Sequence, residues 1–227
     1  MSKPRLLDLF CGAGGCTKGY QEAGFYVVGV DINPQPNYCG DEFYLNDALA
    51  MTEFDSRPLA ATFDAIHASP PCQHYANVTA WRGNHADHAD LVGTTRDLLN
   101  ATGLPWVIEN VDGAPLDADF MLCGTMFGLP IRRHRYFETN WAGVETWGTL
   151  GPCGHHPEDY SFDHGGKQPE SVYRDAMGVP WMTVTESRQA IPPVYSRHIG
   201  DYLRVHLASP LNPHPHDRCG VSVGEGR

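Results

Sequence analysis

A strand that breaks directly into a glycine-rich turn and then a helix leaves this chain the fewest options. Arg5-Leu6-Leu7-Asp8-Leu9-Phe10 is a short apolar run, Cys11-Gly12-Ala13-Gly14-Gly15-Cys16 follows at once, and Thr17 to Ala23 has a helical pattern that Gly24 closes. Glycines let a ligand lie against the backbone, and a helix N-terminus offers N–H groups with no partner inside the helix. The succession predicts the first unit of an α/β fold of the nucleotide-binding type. Phe25 to Val30 is a second buried-strand pattern ending in Asp31, where a carboxylate either accepts from two ribose hydroxyls or caps the turn at Asn33-Pro34. Glu42 to Leu45 reads as a third strand. Asp47, just after it, is placed to accept from an exocyclic amine or to cap Ala48 to Met51.

Phe63 to His67 is a further short strand, and Ala68-Ser69-Pro70-Pro71-Cys72-Gln73 stops it. Neither proline can donate to a ladder and each fixes its own φ, so the chain must turn. Cys72 is thereby presented on a stiff loop at a strand's C-terminal end, where open α/β sheets bind ligands. A cysteine held this way is either a nucleophile or a small buried thiol. The loop that follows, with Tyr75, Trp81, Arg82, His85 and His88, is longer than a connector needs. Ala89 to Thr102 has helical spacing, and Pro105 to Ile108 is a strand ending in Glu109-Asn110-Val111. Glu109 beside the cysteine loop of a neighbouring strand is an acid or hydrogen-bond donor, or else a solvated strand end. Arg132-Arg133-His134-Arg135-Tyr136-Phe137 is the dense basic cluster; strand alternation sends Arg133 and Arg135 to one face, to hold a base carbonyl or a phosphate, or out to solvent.

With 227 residues, 41% hydrophobic and 19% charged, the chain has material for one ordinary core and a small appendage. No run approaches a membrane span, the first residues enter a strand pattern with no signal peptide, and seven scattered cysteines fit a reducing compartment. A cytoplasmic location without a membrane partner is therefore expected. The formal net charge of −11 disfavours tight non-specific gripping of nucleic acid and leaves room for a locally basic cleft. Within Thr139 to Arg174, the group Cys153, His155, His156 and His164 lacks the paired spacing of closed zinc sites, so no metal is expected from it. A final amphipathic helix runs from about Val194 to Leu207, and the Pro-, Gly- and His-rich tail from Ser209 is expected to be disordered.

Taken as an ordered series over about residues 5 to 139 and 176 to 207, these strand ends resemble the DNA cytosine-5 methyltransferase family. Asp8-Leu9-Phe10-Cys11-Gly12-Ala13-Gly14-Gly15 is similar to its S-adenosylmethionine loop, and Asp31 and Asp47 to its ribose and adenine contacts. Pro70-Pro71-Cys72-Gln73 is similar to its nucleophile loop, Glu109-Asn110-Val111 to its acidic motif, and Arg133-x-Arg135 to its basic pair. The short chain looks like the virus-encoded or minimal members. It departs from the family pattern in two places: Ile131 stands where Gln usually precedes the basic pair, and Gln189-Ala190 stands where Gly-Asn usually does, followed by a fitting Ile191-Pro192.

The resemblance implies an α/β, Rossmann-like methyltransferase fold with a very small target-recognition insertion. Residues 1–139 would form the catalytic cofactor-binding domain, 140–175 the recognition region and 176–208 a segment returning to the catalytic domain, with 209–227 as the tail. It implies cofactor contacts at Phe10, Gly12, Gly14, Gly15, Asp31, Ile32, Asp47, Ala48 and Pro70. The implied catalytic residues are Cys72, Glu109, Arg133 and Arg135, with substrate contacts at Gln73, Arg82 and Asn110. The implied reaction transfers a methyl group from S-adenosylmethionine to carbon 5 of cytosine in double-stranded DNA. It proceeds through a Cys72 adduct on a flipped base, in a monomer of the bacterial or phage-infected cytosol. The alternatives are a tRNA cytosine methyltransferase of the same fold and a catalytically inactive nucleic-acid-binding regulator. The recognition region is short of Asn, Gln and Arg, which implies a target of about two to four base pairs.

Overall fold

The computed structural model describes residues 2–72, 75, 90–141, 150–155 and 170–209. Gln73, Arg82, His156, His164 and the tail beyond Ser209 lie outside the described residues. The chain runs β1 (Arg5–Leu9), α1 (Gly15–Glu22), β2 (Tyr26–Asp31), β3 (Glu42–Leu45), a small β4 (Glu53–Phe54) and β5 (Arg57–Pro58) hairpin, and β6 (Ala65–Ala68). It continues through α2 (Val92–Thr102), β7 (Trp106–Asn110), β8 (Phe120–Leu122), β9 (Arg135–Thr139), α3 (Glu170–Met177), α4 (Val184–Gln189) and α5 (Pro193–Leu207). Among the described residues no helix is long and apolar enough to cross a membrane.

The central sheet has seven strands in the order β3-β2-β1-β6-β7-β9-β8. The β3, β2, β1, β6 and β7 pairings are parallel, and β9 is antiparallel to both its neighbours. The chain winds outward from β1 through β2 and β3, then crosses to β6 on the other side of β1. Strand order therefore reverses at the β1/β6 pair, and the connections leaving those two C-terminal ends diverge to leave a crevice. This is the expected α/β, Rossmann-like architecture.

Strands so placed are buried on both faces, which is why their Leu, Val and Ile runs are nearly continuous. Leu6 packs with Tyr20, Tyr195 and Ile199 on the α1/α5 side, whereas Leu7 and Leu9 pack with Ile66, Leu99 and Leu104 on the α2 side. The C-terminal segment is tied back onto the first βα unit. Trp181 Nε1 donates to the Ala13 carbonyl at 3.1 Å, Ser196 Oγ to the Cys16 carbonyl at 2.8 Å, and Asn37 Nδ2 to both Glu186 oxygens at 3.1 Å.

Helices α1 and α5 approach closely because Gly19 has no side chain: a Cβ there would lie 2.0 Å from the Pro193 carbonyl oxygen and 2.6 Å from the Arg197 backbone nitrogen. Backbone cannot rotate out of the way as a side chain can. Gly19→Ala is thus expected to destabilise the fold by about 3 kcal/mol through overpacking, exceeding the gain of about 1 kcal/mol that Ala brings to a helix interior. Gly93, exposed on α2 with nothing within 4 Å of its would-be Cβ, serves as the control. Gly93→Ala should raise the urea midpoint where Gly19→Ala lowers it, and a shared direction would refute the packing argument.

Candidate active site

Four strand ends meet at a cavity of about 310 Å³. Phe10, Asp31, Ser69 and Glu109 line it from the C-terminal ends of β1, β2, β6 and β7, and Met182, Glu186, Gln189, Ala190 and Ile191 wall it from the C-terminal segment. Part of its lining is the glycine turn. Phe10 enters it in the left-handed region at φ 59°, a conformation that costs energy for a non-glycine residue and concentrates at ligand sites. Gly12 also lies in that region, at φ 49°, with nothing within 4 Å of where a Cβ would sit, so a ligand can approach its backbone. Gly15 is required for another reason: its Cβ would lie 2.5 Å from the Ile191 carbonyl oxygen. Gly14 caps α1 at φ 89° and does not line the cavity.

Asp31 caps the turn at Asn33, as one reading of its sequence position has it, and its carboxylate also faces the cavity. One oxygen accepts from the Gly12 amide at 3.0 Å and fastens the glycine turn, the other accepts from the Asn33 amide at 2.9 Å, and the carboxylate lines the cavity. A carboxylate has about four acceptor sites, so capacity for hydroxyls remains. Ile32 beside it lines the same wall and is 66% exposed, an apolar surface that a planar ring would cover. Asp8, buried beneath, is pushed up to about 7 by burial; hydrogen bonds from Thr17 oppose the rise and the Asp31 charge adds to it.

Cys72, Glu109 and Arg135 line the same cavity. The parallel β6/β7 pairing sets the Cys72 loop beside Glu109. Arg135 Nε lies 2.9 Å from Glu109 Oε1, an ion pair within a largely buried pocket and not aligned as a hydrogen bond. Burial pushes the Glu109 carboxyl above its ordinary value, with Arg135 and then Arg133 pulling it back. Burial also raises the Cys72 thiol, opposed by Arg135. The group at rest is therefore a thiol beside a carboxyl that retains its proton more readily than an exposed one.

Other candidates lie away from the cavity. Asn110 is buried and donates Nδ2 to the Pro70 carbonyl at 3.0 Å, latching the Pro-Pro-Cys loop to β7. Arg133 is buried just before β9, and its charge acts on Glu109 beside that of Arg135. β9 begins only at Arg135, so strand alternation does not reach back to Arg133, which donates to the Arg188 carbonyl at 2.9 Å and to Tyr173. Asp47 accepts from the Leu49 amide at 2.9 Å as the cap of a short 3₁₀ turn, and Ala48 is buried in the core. Asp8, Ser69, Met182 and Glu186 line the cavity and were not singled out from sequence; Glu186 is brought there by α4 and held by Asn37, which no local spacing announces.

The profile of the C-5 cytosine-specific DNA methylase family matches residues 4–115. The type II methyltransferase M.HgiGI of Herpetosiphon aurantiacus is 30% identical over 119 residues, covering 49% of this chain and 94% of that protein. The chain belongs to the C-5 cytosine-specific DNA methylase family. In fold it is similar to the Dnmt2 methyltransferase of S. pombe (TM-score 0.62, 15% identity, 92% of this chain and 100% of that one). It is also similar to the Entamoeba histolytica methyltransferase EhMeth (TM-score 0.55, 13% identity, 92% of this chain and 100% of that one).

The methyl donor of this methylase is S-adenosylmethionine. The residues present fit it: an open glycine backbone, a carboxylate with spare acceptor sites and an exposed apolar side chain share one cavity with Cys72. Replacing Asp31 with Ala removes a carboxylate that lines the cavity with spare acceptor sites and unfastens Gly12. Loss of charged hydrogen bonds at about 1.5–3 kcal/mol each should weaken S-adenosylhomocysteine binding about tenfold to hundredfold. Calorimetry on the folded variant checks this, and an unchanged dissociation constant removes Asp31 from the cofactor site.

Proposed function

We propose that this methylase acts on cytosine in double-stranded DNA, on a base flipped out of the stack, through a covalent bond from Cys72. The observation that supports this reading is that Cys72, Glu109 and Arg135 line the same cavity as Gly12 and Asp31. Carbon 5 of cytosine is a weak nucleophile. Attack of the Cys72 thiolate on carbon 6 makes the ring an enamine whose electron pair is available at carbon 5. Glu109 holds the ring at nitrogen 3 and the amino group, and the raised affinity of its carboxyl for a proton suits it to donate where charge develops. Arg135 fixes Glu109 and is near enough to hold the ring carbonyl. Bound S-adenosylmethionine supplies an electrophilic methyl group. Loss of the carbon-5 proton then returns the pair that expels Cys72 as thiolate.

Asn110 acts in this reading as a positioning residue for the Cys72 loop, and Arg133 as a buried charge that adds to the pull of Arg135 on Glu109. Gln73 and Arg82 are assigned to contacts around the flipped base. Carbon 6 of a stacked base is shielded by its neighbours from a thiol held on a strand-end loop, which is why flipping is part of the proposal. Tritium transfer to duplex DNA and to tRNA, run in parallel, tests the substrate. Label in duplex DNA is expected; label confined to tRNA overturns the DNA reading.

A further inference from the structure

The geometry points to a structural zinc site formed by Cys123, His134, Cys153 and His155, separate from the active-site cavity, which fastens residues 150–155 to the sheet beside Arg135. The four ligand atoms all lie within 4.8 Å of one another. Cys123 Sγ is 3.4 Å from His155 Nε2, His134 Nε2 is 3.0 Å from His155 Nε2, and Cys153 Sγ is 3.8 Å from His134 Nε2. A tetrahedron with zinc–nitrogen bonds of about 2.0–2.1 Å and zinc–sulfur bonds of about 2.3 Å has edges of about 3.3 Å between nitrogens and about 3.6 Å from nitrogen to sulfur. The two nitrogen–sulfur separations, 3.4 and 3.8 Å, bracket their edge, and the nitrogen–nitrogen separation of 3.0 Å is a few tenths of an ångström shorter than its own.

Hydrogen bonding alone does not account for the convergence. A neutral imidazole nitrogen carries one proton or one lone pair, and so serves one in-plane partner. His134 Nε2 faces both His155 and Cys153, and His155 Nε2 faces both His134 and Cys123. A cation at the centre satisfies all four groups through their lone pairs. Two thiolates and two neutral imidazoles are the donor set of closed zinc sites and reject magnesium and calcium, which take oxygen ligands. Thr125 Oγ1, 3.3 Å from Cys123 Sγ, is placed to donate to the thiolate, as the partners of metal ligands usually are.

The ligands come from three places in the fold. Cys123 follows β8 directly and is fully buried; His134 precedes the first residue of β9; Cys153 and His155 sit more openly in the segment expected to read the target. Zinc would therefore join that segment to the strand that carries Arg135.

The test uses the full chain, expressed with zinc in the medium and passed through a desalting column. Elemental mass spectrometry should find one zinc per chain, and cobalt exchanged for it should show the visible bands of a tetrahedral thiolate complex. Cys153→Ser and His155→Ala, at the more open positions, should each lose the metal while binding S-adenosylhomocysteine as the parent does. Chelation should lower the melting temperature, with zinc but not magnesium restoring it. Absence of bound metal, retention of an equal amount in both variants, or a Cys123–Cys153 disulfide in the native chain would overturn the proposal.

Discussion

Cys72→Ala is expected to abolish methyl transfer, lowering it by about 10⁴-fold or more, with S-adenosylhomocysteine affinity left within about twofold. The asymmetry follows from position: Cys72 sits on the loop after β6 beside Glu109, whereas Asp31, at the end of β2, fastens the glycine turn. A duplex carrying 5-fluorocytosine should trap the parent enzyme as an adduct stable in detergent, because fluorine cannot leave as a proton does. An equally stable adduct with Cys72→Ala rules the assignment out. The pH profile carries a second signature. Burial raises the thiol above its ordinary value, so at neutrality the reactive thiolate is the minority form and kcat/KM of the parent should climb with pH on the alkaline side. Arg135 opposes that rise, so Arg135→Met should move this limb further up the pH scale.

Glu109→Gln is expected to cost about 10²–10⁴-fold in turnover, the range of a positioned acid, with little loss of cofactor affinity. The amide keeps the side-chain volume and removes both the charge and the transferable proton, so the measured loss reports chemistry more than packing. Its effect on stability has a separate cause. Glu109 faces Arg135 at 2.9 Å in a largely buried setting, and removing one member of such a pair leaves the other charge without compensation. Glu109→Ala should therefore melt lower than Glu109→Gln although both are slow. A Glu109→Gln enzyme turning over at the parental rate would exclude the acid role.

What could be read from the sequence was local. The strand, glycine turn and helix from Arg5 to Glu22, the Asp31 strand end and the Pro-Pro turn before Cys72 are each set by residues next to one another, through glycine φ, proline φ and apolar runs. The placing of Glu109 beside Cys72 also followed, since it needs only that two strands be neighbours. Alternation could not place Arg133, because it holds only inside a strand and β9 starts two residues later. Asp47 had two readings that no spacing could separate, and the structure shows the cap, with Oδ1 accepting from the Leu49 amide. For Asn110 the family resemblance implies a substrate contact, and its bond to the Pro70 carbonyl, which latches the Cys72 loop, depends on a contact 40 residues away that no local spacing announces. The cysteine–histidine cluster escaped for a related reason. Cys153 and His155 lacked paired spacing among themselves, and their partners Cys123 and His134 belong to the β8–β9 region.

The tie between the glycine turn and the C-terminal segment also sets when this enzyme can exist. Trp181 donates to the carbonyl of Ala13, 168 positions earlier, and Ile191 closes against Gly15. At roughly 5–20 residues per second, a ribosome makes the Ala13 end of that contact on the order of 10–30 s before the Trp181 end. For the part of that interval after Cys72 is made, the nascent chain holds the glycine turn and the Cys72 loop without the wall that encloses them. A chain released before Ile191 is thus expected to lack that wall and, with it, methyl transfer, which activity assays on chains cut before and after this segment would check.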